Sequence, residues 1–100
     1  MPLPFFVYML ACVDDSFYVG QTDDLERRLA EHELGEGAQY TKTRRPLRLA
    51  WSAEFDSRDD AKHAEAQIKR WTRAKKAALA AEDSNALRLL ASRRKRPPSN

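Results

Sequence analysis

Phe5-Phe6-Val7-Tyr8-Met9-Leu10-Ala11-Cys12-Val13 is followed by Asp14-Asp15 and then by Ser16-Phe17-Tyr18-Val19-Gly20. Both flanks are rich in aromatic and β-branched residues, and the aspartate pair between them is turn chemistry, so the stretch reads as a β-hairpin. Its loop length decides what the hairpin can do. Side chains alternate between faces with a period of two, so an even loop would point Tyr8 and Tyr18 to opposite faces, whereas an odd loop puts them together.

Downstream of the hairpin, Asp23 with Glu26 three residues on is a capping-box pattern, and Leu25, Arg28, Leu29 and His32 recur at i, i+3, i+4 and i+7. This predicts a helix that starts near Asp23 and stops before Gly35. Arg28 and His32 share the stripe of the two leucines. An unpartnered buried guanidinium costs several kcal/mol or more, so Arg28 must meet a carboxylate or open into a cleft. The segment from Gly35 to Pro46 reads as a linker whose cations Lys42, Arg44 and Arg45 end at a helix breaker. Leu47, Leu49, Trp51, Ala53 and Phe55 alternate with more polar residues and predict a third strand buried on one face. Ser57 and Asp60 mark a second helix start, and Ala61, Ala64, Glu65 and Ile68 form its stripe, again with a charged residue in the middle. Two helices whose apolar stripes carry an arginine, a histidine and a carboxylate point to a shared polar cleft.

Trp71-Thr72-Arg73 reads as a bend before an alanine-rich helix from Lys75 to Glu82, with a further turn or two at Ala86 to Ala91. The end, Arg93-Arg94-Lys95-Arg96-Pro97-Pro98-Ser99-Asn100, has two prolines, a charge run and no apolar periodicity. The expected organisation is one domain over residues 1–91 and a basic flexible tail over 92–100. At 100 residues the chain has room for a modest core, not for a catalytic module plus a separate recognition domain. Its charge is uneven: residues 1–68 carry 8 Lys+Arg against 13 Asp+Glu, and residues 69–100 carry 10 against 2. Such asymmetry suits a polyanionic partner, although a lysine-rich helix is also an ordinary solvated face. The single cysteine, Cys12, allows no intramolecular disulfide and fits a reducing cytoplasmic setting. No stretch approaches the roughly 20 apolar residues of a membrane helix, so no membrane partner is expected.

The two tyrosines, Arg28, His32 and Glu65 together resemble the GIY-YIG nuclease superfamily, and in particular its small single-domain members. Phe6-Val7-Tyr8 stands where the first triplet would be and Tyr18-Val19-Gly20 matches the second. Arg28, His32 and Glu65 fall at the family's arginine, histidine and metal-holding glutamate. Gly35-Glu36-Gly37-Ala38-Gln39-Tyr40-Thr41 and Glu65-Ala66-Gln67-Ile68-Lys69 also look like those small members. Two departures stand out: Phe6 replaces the triplet's glycine, and the asparagine that several members carry about a dozen residues after the glutamate is missing, the next being Asn85.

The resemblance implies an α/β sandwich, with a small, mainly antiparallel three-stranded sheet flanked by helices. It implies metal-dependent hydrolysis of phosphodiesters, with DNA as the nucleic-acid partner, by an endonuclease or nickase that is structure-selective or weakly sequence-selective, in a setting such as DNA repair or recombination. Glu65 would hold Mg²⁺ or Mn²⁺, Arg28 would bind the scissile phosphate, and Tyr8 or Tyr18 would handle the attacking water. A phenol with a pKa of about 10 is a poor base at neutral pH, so a nearby cation would have to lower it. His32 would bond a phenol or phosphate oxygen or shuttle a proton. Gly20 would let a phosphate approach the backbone, and Lys42, Arg44, Arg45, Lys69, Lys75 and Lys76 would contact the substrate.

Each residue also has a plainer reading. Lone strand tyrosines are usually packing residues, Arg28 could pair structurally with Glu65 or another acid, and a histidine at a helix C-terminus is favourable without catalysis. Trp71 at a bend is more often core, and Tyr40, on a loop beside cations, is the better base-stacking candidate. The alternatives to a nuclease are a nucleic-acid-binding module with little or no cleavage, and a structural role that would leave Arg28 and Glu65 unexplained.

Overall fold

A computed structural model describes residues 4–81. The turn expected at Ala86 to Ala91, the basic tail and Asn85 lie outside the described residues. The first two elements are the strands β1 (Phe5–Ala11) and β2 (Phe17–Thr22). Five residues separate the paired Ala11 and Phe17. Cys12 N–H donates to Ser16 O at 2.9 Å, Asp15 N–H donates to Cys12 O at 3.0 Å, and Asp15 takes the left-handed conformation, φ 69°. The loop is therefore odd. Tyr8 pairs with Gly20 and Tyr18 with Leu10, which puts both tyrosines on one face of the sheet.

Helix α1 (Leu25–Glu33) is capped by Asp24, whose carboxylate accepts from Arg27 N–H at 3.1 Å. This corrects the expected start at Asp23 by one residue; both aspartates offer the same chemistry, and the backbone at Asp24 supplies the non-helical geometry a cap needs. The segment read as a linker contains a short helix, α2 (Gln39–Lys42). Its Thr41 is buried, so the turn is held by what that side chain meets rather than by its own length.

Strand β3 (Arg48–Phe55) pairs antiparallel with β1, giving the order β2-β1-β3. The pairing shifts register between Met9, opposite Trp51, and Leu10, opposite Leu49. Ala50 is the extra residue of this bulge, and it reverses the phase of the alternation. Trp51 and Phe55 pack against the core, while Leu49 falls on the tyrosine face and is 41% exposed. The expectation that Leu49 and Trp51 share a face is thus overturned.

Helix α3 (Arg58–Lys69) starts at Ser57, whose hydroxyl accepts from Asp60 N–H at 3.1 Å, as its sequence predicts. Helix α4 (Arg73–Ala80) starts after Thr72, whose hydroxyl accepts from Lys75 N–H. The core lies between the sheet and these two helices: Val7, Met9 and Val19 meet Ala61, Ala64, Ile68 and Leu79, with Trp71 packed at the edge. The other sheet face carries the tyrosines and buries His32 of α1 and Thr41 of α2. The chain is thus a three-stranded antiparallel sheet between two layers of helix. None of the described helices is long and apolar enough to cross a membrane.

Because the bulge sends Leu49 and Trp51, which alternate in phase in the sequence, to opposite faces of the sheet, truncating them should have different costs. Trp51→Ala should lower the unfolding free energy by about 3 kcal/mol or more, as for other aromatic truncations against a core. Leu49→Ala should cost less than about 1 kcal/mol. Urea denaturation of the two variants checks this, and equal losses would contradict the bulged register.

Candidate active site

Tyr8 and Gly20 are direct partners across β1 and β2, and Tyr8 leans into the space that Gly20 leaves. A Cβ at position 20 would lie 2.5 Å from Tyr8 Oη and 2.7 Å from its Cζ. That contact is impossible without moving the ring. The room over Gly20 therefore belongs to the phenol, which corrects the expectation that it admits a phosphate.

His32 occupies the last turn of α1 and is 1% exposed, as is Tyr8. Tyr8 Oη and His32 Nε2 share a hydrogen bond of 2.8 Å. The other ring nitrogen, Nδ1, shares one of 2.8 Å with Thr41 Oγ1, and the Thr41 hydroxyl donates to Ala38 O at 3.1 Å. Gly37 clears the space beside this imidazole, since a Cβ there would overlap Nδ1, Cγ and Cε1. Tyr18 is half-buried and its ring centroid lies 5.3 Å from that of His32, 6.4 Å from Tyr8 and 6.1 Å from Tyr40. The structure thus brings Tyr8, Tyr18 and His32 into one aromatic cluster.

Arg28 opens onto the same cluster, half-buried, with its fork already engaged. One nitrogen donates to Glu31 Oε1 at 2.9 Å and another to Gly37 O at 3.0 Å. Its charge also reaches the Tyr8 hydroxyl and opposes the effect of burial there. Arg28 does not pair with Glu65; Glu31, one turn along its own helix, is the carboxylate that the burial argument required. Glu65 projects from α3 with its side chain 18% exposed, receives Lys69 Nζ at 3.1 Å, and is close enough for its charge to act on Tyr8. Among the described residues no three His, Cys, Asp or Glu side chains converge where a metal ion could be held.

Burial dominates the proton balance of the cluster. It pushes the Tyr8 hydroxyl above its ordinary value of about 10, the Arg28 guanidinium pulls it down, and the Tyr18 and Glu65 charges add to the rise. Arg28 by itself does not make this phenol more acidic, because desolvation outweighs it. Burial, and then Arg28, lower His32 below its ordinary 6.5, with Glu31 opposing. The resting pair is a neutral phenol beside a neutral imidazole.

The cations expected to contact substrate divide by what else they do. Arg44 donates to Asp14 Oδ2 at 3.0 Å and to Tyr40 O at 3.0 Å, and its guanidinium lies 3.9 Å above the Tyr40 ring. Arg45 donates to Glu33 O at 3.0 Å and to Lys42 O at 3.2 Å. Both side chains hold the hairpin turn, α2 and the end of α1 together. Lys42 is exposed on α2. Lys69 and Lys76 line a cleft of about 310 Å³ with Phe17, Tyr18, Val19 and Tyr40, while Lys75 lines a separate groove with Arg70 and Trp71. Tyr40, expected on a loop, lies in α2 with Tyr18 stacked against it and Arg44 over its ring, so it braces Tyr18.

Sequence reasoning passed over Thr41 and Gly37. Thr41 is an uncharged residue nine positions from His32, and its only visible signal was membership of the Gly35-to-Thr41 stretch.

The depressed His32 pKa has a consequence for stability. In the unfolded chain this imidazole binds a proton near pH 6.5, and in the fold it does so only at lower pH, so the unfolded state holds more protons between the two values. Stability should be at full strength above about pH 6.5 and should fall as pH drops through the folded value. Thermal unfolding between pH 8 and 5 should show this slope, and His32→Gln should flatten it; an unchanged slope in the variant would assign the effect elsewhere.

A family model for the GIY-YIG catalytic domain matches residues 4–78. A UPF0213 protein of Natronomonas pharaonis is 46% identical over 79 residues, covering 79% of this chain and 93% of its own. One from Cupriavidus necator is 43% identical over 77 residues, covering 77% of this chain and 84% of its own. The solution structure of the UPF0213 protein of Bacillus halodurans superposes with a TM-score of 0.53 at 39% identity, over 80% of this chain and 85% of that one. These relatives' names state a family and no activity. With the domain matched across both tyrosine-bearing strands and through Glu65 of α3, the chain belongs to the GIY-YIG family, as a relative of the UPF0213 proteins.

Proposed function

We propose that the protein is a divalent-metal-dependent DNA endonuclease or nickase in which Tyr8 relays the proton of the attacking water to His32. The observation that carries this reading is the Tyr8–His32 hydrogen bond, because it sets a proton acceptor directly behind a phenol that is itself too weak an acid to rest as phenolate. As the water oxygen bonds to phosphorus, its proton passes to Tyr8 Oη while the Tyr8 proton passes to His32 Nε2. The bond to the leaving oxygen breaks, and that oxygen takes a proton from solvent. No free phenolate is formed, so the raised Tyr8 pKa is no obstacle, and His32 is neutral and ready to accept.

Arg28 stands beside the same hydroxyl with a permanent charge to offset the one that develops on the phosphoryl oxygens. Tyr18, braced by Tyr40, walls the cluster on the side of the Lys69 and Lys76 cleft, which suits a nucleic-acid backbone running past it. Glu65 fits a metal ion as a single, partly exposed carboxylate, the arrangement that suits a mostly hydrated Mg²⁺ or Mn²⁺. Such an ion would polarise a nonbridging and the leaving oxygen. The cleft beside Tyr18 offers lysines to a phosphate backbone, a contact that carries no base sequence, which favours structure-selective or weakly sequence-selective cutting.

A second reading is a nucleic-acid-binding module with little cleavage. It draws support from Glu65 and Arg28 both being neutralised within the fold, by Lys69 and Glu31.

Single-turnover assays on duplex, nicked, flapped and branched DNA with Mg²⁺ or Mn²⁺ separate the two. Wild type should cleave at least one substrate, Glu65→Gln should abolish metal-dependent cleavage, and Tyr8→Phe should lower the rate by about 10²- to 10⁴-fold, the span of a lost proton-transfer group. Tyr18→Phe should cost less. Cleavage surviving in Glu65→Gln would contradict the proposal, and tight binding without cleavage by wild type would favour the second reading.

A further inference from the structure

We propose that Thr41 is a positioning residue that fixes the tautomer of His32, holding Nδ1 protonated and leaving the Nε2 lone pair aimed at Tyr8. The inference deepens the nuclease reading and rests on it only for its kinetic consequence. A neutral imidazole carries one N–H, and which nitrogen holds it is set by the partner of the other. The Thr41 hydroxyl has a single proton, and that proton is directed to Ala38 O at 3.1 Å. What Thr41 Oγ1 presents to His32 Nδ1, 2.8 Å away, is therefore a lone pair.

Nδ1 must then be the donor, Nε2 the acceptor, and the Tyr8 hydroxyl the donor to Nε2 across 2.8 Å. Each proton in the series points the same way, from Tyr8 through His32 and Thr41 to the Ala38 carbonyl. A threonine hydroxyl free to rotate could have matched either tautomer; one committed to a carbonyl matches one. Burial keeps the series intact, since Thr41 is 0% exposed and His32 1%, and no water is needed to complete it. The opposite tautomer would make Tyr8 Oη accept from Nε2–H and turn its own proton elsewhere, and it would leave Nδ1 facing the Thr41 lone pair without a proton between them. It would also point a proton at Tyr8 where an acceptor is needed.

Long-range ¹H–¹⁵N correlation spectra of the full chain labelled at histidine nitrogens read the tautomer directly, without DNA or metal. Wild type should show His32 with protonated Nδ1 and bare Nε2 at pH 7.5. Thr41→Val, which keeps the shape and removes the lone pair, should shift His32 toward the Nε2–H form, and Thr41→Ser should retain the wild-type pattern and so control for loss of fold. In single-turnover cleavage Thr41→Val should lose about tenfold or more and Thr41→Ser should stay near wild type, because the wrong tautomer of a proton-accepting imidazole costs up to about 10⁴-fold. An Nε2–H wild type, or a Thr41→Val protein that folds and keeps Nδ1–H, overturns the proposal. The spectra decide it whether or not the protein cuts DNA, so failure of the nuclease reading is recognisable separately.

Discussion

The hydrogen bond of 2.8 Å between Tyr8 and His32 ties the two layers of the molecule that form the site. It joins the central strand of the sheet to the end of α1, and through Thr41 it fastens the four-residue α2, which is too short to persist alone. Both glycines beside it are explained by the same constraint. Gly20 leaves room for the phenol and Gly37 for the imidazole, and a methyl group at either position would force the pair apart. The bond is buried, so its polar atoms depend on one another; losing one partner would strand the other in an apolar surround.

Charge in this molecule is used first to hold the fold and only then offered to a partner. Arg44 links the hairpin turn to α2, Arg45 reaches the end of α1, and Arg73 donates to Asp15 O at 2.7 Å. These three guanidiniums fasten backbone and loops around the aromatic cluster. The lysines are less committed, and Lys69 and Lys76 flank the cleft beside Tyr18. Arginine's fork suits several carbonyls at once, whereas a lysine is a single mobile charge, so this division follows from their chemistry.

Much of the fold was legible because hydrophobic period and cap chemistry are local. The hairpin, the stripes of α1 and α3 and the start at Ser57 follow from residues within a few positions of one another. The bulge at Ala50 was not legible: Leu47, Leu49, Trp51, Ala53 and Phe55 alternate without interruption, and only pairing with β1 shows that the phase changes. The site divided along the same line. Tyr8, Tyr18, Arg28, His32 and Glu65 stood out as polar groups within apolar patterns. Thr41 did not, because its importance comes from a contact between separate helices, and a cation's sequence does not reveal which carbonyls Arg44 and Arg45 have already met. The resting acidity of Tyr8 was not legible either: counting nearby charges favours a lowered pKa, but the extent of burial, which only packing reveals, outweighs Arg28.

The central claim is that Tyr8 rests as a neutral phenol held against a neutral imidazole. Its most direct test is a pH titration of the protein labelled with ¹³C at tyrosine Cζ, assigned with Tyr8→Phe. The account predicts that the Tyr8 signal keeps its phenol position through pH 10 and moves only above it. A Tyr8 signal that turns to phenolate near neutral pH would contradict the account, since Arg28 would then outweigh burial and no relay through His32 would be needed.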